Sequence, residues 1–169
     1  PSTSRVVLEP SLYGSFDPET VDIADDLRDG WQRVRPPDRA DYVVLGQSAI
    51  TPAFAYTLYD SYNSGAVIEP GDFLNLEDGV SVNRTDPFDY GLPFVQGWTG
   101  DRLHVYERDD ELAYVWRLSW ESSGDAEQFA DAYRQLLSHW GGIQVEANTW
   151  RITDDSPFAD AFYLEVDGS

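Results

Sequence analysis

The stretch GWTGDRLHVYERDDELAYVWRLSW, from Gly97 to Trp120, decides the reading of this chain. In its second half Tyr114, Trp116, Leu118 and Trp120 share one parity, and Ala113, Val115, Arg117 and Ser119 share the other. That is the period of a strand, whose successive side chains point to opposite faces. Leu103 and Val105 alternate with polar neighbours in the first half, and the charged run ERDDE between the halves has the composition of a turn. The pattern predicts a two-stranded antiparallel hairpin. The glycine-bracketed Trp98 and the Asp101-Arg102 pair could belong to a ligand loop, but phosphate-cradling loops feed a helix N-terminus and this one feeds a strand. It therefore reads as a strand entry. Gly97 and Gly100 permit a tight turn, Trp98 packs onto or beside the sheet, and Asp101 bonds loop backbone or pairs with Arg102.

Downstream, Ser122 and Asp125 have capping-box spacing, with Asp where Glu or Gln is usual. Ala126, Phe129, Ala130, Tyr133, Leu136, Leu137 and Trp140 then recur at helical spacing, with Glu127, Asp131 and Arg134 opposite them, until Gly141-Gly142. Half of the hairpin aromatics are expected to pack beneath this helix. Short strands near Ile143–Glu146, Thr149–Thr153 and Ala161–Val166 complete a β-β-α-β-β-β order in one sheet.

Upstream the signals weaken. Asp17-Pro18-Glu19 has the form of a helix start, and Val21, Ala24, Leu27 and Trp31 keep helical spacing up to Gly30. After RPPDR, Asp38 can cap a second helix carrying Tyr42, Leu45, Ala49 and Ile50, interrupted at Pro52 and resuming to about Tyr59. Ser48 reads as an ordinary residue of that helix. From Gly65 to Pro93 the periodicity fades, apart from a short strand at Val80–Val82. The expected architecture is α+β: N-terminal helices, and an antiparallel sheet against one long amphipathic helix. The chain divides into a helical segment (1–64), an irregular connection (65–96) and an α+β module (97–169), expected to form one compact unit.

Composition bounds the function. Asp and Glu number 31 against 11 basic residues, a net charge of −20, and every basic residue is Arg. Such a field repels nucleic acid and anionic headgroups. It also strains a compact fold unless salt screens it, over a Debye length of about 3 Å at 1 M. An acidic chain without lysine reads as adapted to very high salt. Cys is absent, which excludes disulfides and thiolate metal sites. No stretch has the length and apolarity to insert into a membrane, and Pro1 to Pro10 lack the form of a signal peptide. Met is absent as well, and the chain is expected to be a piece of a longer one.

No complete catalytic constellation emerges. The two histidines, His104 and His139, lack metal-ligand spacing and read as structural. There is no nucleophile elbow, P-loop, dinucleotide fingerprint or EF-hand, and the paired acids are those expected of so acidic a chain. No cofactor or metal is expected. Trp98, Phe94 and Phe88, at or before the hairpin entry, are the aromatics expected to be exposed, as a surface for a protein or a glycan. Asn83-Arg84-Thr85 is the one N-x-[ST] sequon, an acceptor for glycosylation in an exported protein.

The run from Gly97 to Tyr133 has the form G-W-x-G-D-R, two strands, then W-x-S-x-x-D-A-x-x-F-x-x-A-Y. Its fixed positions include Gly97, Trp98, Gly100, Asp101, Arg102, Trp120, Asp125 and Phe129. It resembles a family of haloarchaeal surface proteins and, more distantly, the C-terminal part of bacterial secreted zincin-like metallopeptidase homologues. PPDRADYVVLGQSAI sits where those relatives have a P-P-x-S-like turn and an L-G-E helix, with Gln47 here in place of the Glu. The resemblance covers about residues 8–140. The relatives' HExxH lies on an earlier helix and is missing from this sequence, so no catalytic residue carries over. The resemblance implies an extracellular or cell-surface protein in a high-salt environment, of which this is a non-catalytic C-terminal module for packing against its own upstream domain or recognising a partner. The alternative it implies is the substrate-side lobe of a peptidase whose zinc half lies upstream.

Overall fold

Alternation from Trp98 onward becomes two long paired strands in the computed structural model, which describes residues 3–24, 29–35, 43–58, 74–156 and 158–167. In chain order the elements are α1 (Ser4–Leu8), β1 (Gln32–Arg33), α2 (Gln47–Leu58), β2 (Leu76–Glu77), β3 (Ser81–Val82), β4 (Trp98–Arg108), β5 (Glu111–Trp120), α3 (Ser123–His139), β6 (Ile143–Glu146), β7 (Thr149–Ile152) and β8 (Asp160–Tyr163). Turns of 3-10 helix occupy Pro10–Leu12 and Pro93–Val95. The fold is α+β with antiparallel sheets, and strands predominate at the C-terminal end. It forms two compact units that interleave along the chain, Pro1–Ala49 with Gly97–Glu121 and Ile50–Gln96 with Ser122–Ser169. These cut across the division into 1–64, 65–96 and 97–169.

The first unit is built on the β4-β5 hairpin. Its register runs from Arg108↔Glu111 to Trp98↔Trp120, with a bulge between Trp98 and Gly100. Asp109, at φ 53°, closes the turn. β1 adds to the free side of β4, giving the order β1-β4-β5. Val43 bridges to Leu103 further along.

Residues 17–24 depart from expectation, since none of them is helical. Glu19 N–H donates to the Thr99 carbonyl (3.0 Å), and Asp22 meets Arg102 (2.9 Å) and offers its carbonyl to Arg117 (3.1 Å). Partners distant in sequence thus outcompete the local helix signal. Leu27 lies outside the described residues, as do 36–39 of the RPPDR turn, Asp38 among them, and Tyr42. Leu45 precedes the second helix, which begins at Gln47 and runs through Pro52 to Leu58. Tyr59 and residues 60–73 are also outside the described set.

In the second unit α3 starts as its sequence dictates. Ser122 Oγ accepts from Asp125 N–H (3.2 Å), which caps the helix, and donates to the Asp125 carboxylate (2.7 Å). Gly141, at φ 86°, ends the helix, and Gly142 N–H returns to the Leu137 carbonyl (2.8 Å). Phe129, Ala130, Ala132, Leu136 and Leu137 are buried, and Leu137 packs with Trp150 and Ile152 of β7. Tyr133, Trp140, Phe162 and Leu164 surround that cluster. The helix therefore covers the β6-β7-β8 sheet, and the strands form two three-stranded sheets where one was expected. Beside it Phe54 of α2 meets Phe94 and Phe129, each at 5.3 Å between ring centroids. Asp78 and Gly79, both at positive φ, turn the β2-β3 hairpin; of the expected strand Val80–Val82, Ser81 and Val82 are in β3 and Val80 is in the turn.

Candidate functional site

The entry to β4 gathers a polar network in the first unit. Asp101 is 4% exposed, and its two carboxylate oxygens accept from Leu45 N–H (2.8 Å), Gly46 N–H (3.2 Å) and Trp116 Nε1–H (3.0 Å). Asp101 thus bonds loop backbone, one of the two roles its sequence context allowed, and ties residues 45–46 to the hairpin. Arg102 turns instead to Asp22. A Cβ on Gly100 would overlap the Glu19 carbonyl oxygen, so glycine is needed there for close backbone approach. The Glu19 carboxylate accepts from Thr99 Oγ1 (3.3 Å) and from Ser119 Oγ. Gly97 has φ 74°, and its carbonyl accepts from Glu121 N–H (2.7 Å), closing the hairpin's open end beside the Trp98↔Trp120 pair.

Arg5 was not singled out in the sequence, although it opens the apolar run Val6 to Leu8. It is 5% exposed, donates to the Trp98 carbonyl (2.7 Å) and pairs with Glu121 (2.9 Å). A cation buried this far needs such partners to offset desolvation.

Further along β4, His104 is 1% exposed. Arg33 Nη2 lies 2.7 Å from its Nε2, and the Tyr106 hydroxyl 3.4 Å from its Nδ1. A guanidinium can only donate, so Nε2 accepts and a neutral ring carries its proton on Nδ1, toward Tyr106. The structural role read for His104 is consistent with this setting, but its partner Arg33 was missed because β1 has only two residues and no periodicity.

Of the three aromatics expected at a binding surface, Trp98 and Phe94 are placed otherwise. Trp98 is 1% exposed and Phe94 8%, both core, because the strand entry folds inward and Phe94 packs at a tilt against Phe54. Phe88 is half-buried, bridges to Leu74 and meets Tyr90 edge-on at 6.2 Å. Asn83 keeps its accessible turn, and Asp125 and Phe129 cap and anchor α3 in the second unit. Two surface groups have displaced pKa values. The Thr153 hydroxyl lowers that of Asp155, and the Glu165 carboxylate, accepting from the Tyr163 phenol (2.9 Å), raises that of Tyr163. Among the described residues no three His, Asp or Glu side chains converge as metal ligands, and no helix is long and apolar enough to cross a membrane.

A family model described as a domain of unknown function, DUF8575, matches residues 32–169. The chain belongs to that family. No curated protein and no solved structure matches it. The DUF8575 match takes in the whole β4-β5 hairpin, α3 and the β6-β7-β8 sheet, together with Leu45 and Gly46, which donate to Asp101. It begins at β1, so Arg5 and Glu19 lie before it.

Proposed function

We propose that this chain is a non-catalytic α+β module of an exported haloarchaeal surface protein, serving structural support or partner recognition at high salt. The observation that carries the reading is the commitment of the G-W-x-G-D-R residues to the fold. Asp101 accepts three N–H groups, Trp98 is buried and Gly100 makes a close backbone contact. A general acid or base must reach a substrate proton within hydrogen-bond distance, and these groups face the protein itself. The lysine-free composition and the net charge of −20 support the environment, and the sequence resemblance supports the surface location.

A peptidase assay on the full-length protein in molar salt, with its metal content measured, tests the non-catalytic part. The reading predicts no peptide hydrolysis and no bound zinc. Chelator-sensitive hydrolysis, with an HExxH helix encoded upstream of Pro1, would replace it by the account of an accessory lobe in a zinc peptidase.

A further inference from the structure

The loop after β3 is held in a turn by its own hydrogen bonds. Asn83 N–H donates to the Asn75 carbonyl (2.8 Å) and Asn75 N–H to the Pro87 carbonyl (3.1 Å), which clamps both ends of the turn 83–86. Within the turn, Asn83 Oδ1 accepts from Thr85 N–H (2.8 Å), Thr85 Oγ1–H (2.8 Å) and Asp86 N–H (3.0 Å). The other end of the carboxamide, Nδ2, donates to no described residue. Arg84, Thr85 and Asp86 are exposed. Beside the turn the hairpin shows water an apolar group, with Val80 85%, Val82 42% and Leu76 38% exposed.

We propose that Asn83 is an N-glycosylation acceptor, an inference that rests on the export proposed above. A transferase reading N-x-T must engage the Asn amide and the Thr hydroxyl together, and this turn already holds the two side chains in contact, on a half-exposed Asn83 followed by exposed residues. The donor is a glycan carried on a lipid phosphate. Asn83 Nδ2 forms a bond to the anomeric carbon as the bond from that carbon to the phosphate oxygen breaks. The lipid phosphate leaves with the electron pair, and one Nδ2 proton passes to a base of the transferase. Three bonds to Oδ1 polarise the carboxamide and hold it in one orientation. A glycan at this position lies next to Val80 and Val82 and keeps that apolar group from other chains.

The test is peptide mass spectrometry of the full-length protein from its own cells, after separation of intracellular and exported fractions. The exported protein is expected to carry a sugar mass on the peptide containing Asn83. Asn83→Gln and Thr85→Ala should abolish it, and Thr85→Ser, which keeps the hydroxyl, should retain it. Exported protein with unmodified Asn83 overturns the acceptor assignment and leaves export standing. Unmodified protein confined to the cell interior overturns both.

Discussion

Asp101 shows how one buried carboxylate can organise a corner. It is the shared acceptor for two backbone N–H groups and an indole, so its removal takes away the carboxylate that all three donate to. Hydrogen bonds to charged groups contribute about 1.5–3 kcal/mol, and an unsatisfied buried donor costs about 1–3 kcal/mol. Asp101→Ala is expected to destabilise the chain by about 2–4 kcal/mol, with Asp101→Asn less severe because one carbonyl oxygen still accepts. Denaturant midpoints measured in molar salt check this. An unchanged midpoint for Asp101→Ala would mean that the corner holds without its carboxylate.

Elements divide by how locally they are determined. The β4-β5 alternation and the α3 spacing were legible because each needs only neighbours in sequence, namely a cap at Ser122, a stop at Gly141 and parity along Tyr114–Trp120. The Asp17–Glu19 helix signal misled because Glu19 and Asp22 find partners at Thr99, Arg102 and Arg117, a choice that no local window contains. The same limit hid Arg5 and the Arg33–His104 contact and placed Trp98 and Phe94 on the outside. Asp101 was half legible: its acceptor role followed from the strand entry, but not its donors at Leu45 and Gly46. Packing gives a sharp contrast between two leucines. Leu137 is fully buried against Trp150 and Ile152, and Leu137→Ala should cost about 2–5 kcal/mol. Leu112 is 72% exposed, and Leu112→Ser should change stability by no more than about 0.5 kcal/mol. Thermal or denaturant unfolding of the two variants decides the matter, and comparable losses would contradict the assignment of faces.

Across the whole molecule charge dominates. With 31 acidic residues and 11 arginines, the native state in dilute buffer carries strong self-repulsion, which salt screens. The proposed high-salt setting predicts that unfolding midpoints rise steeply with KCl into the molar range, and midpoints insensitive to salt would contradict it. Charges held inside the fold are screened less than surface pairs, so the rise should come mainly from the exposed acids. The proposal as a whole concerns where the chain resides. Its most direct test is protease treatment of intact cells in isotonic molar salt, followed by identification of the released peptides. An exported surface module predicts release of peptides from this chain while a cytosolic marker stays intact. Protection of the chain until the cells are lysed would contradict the account.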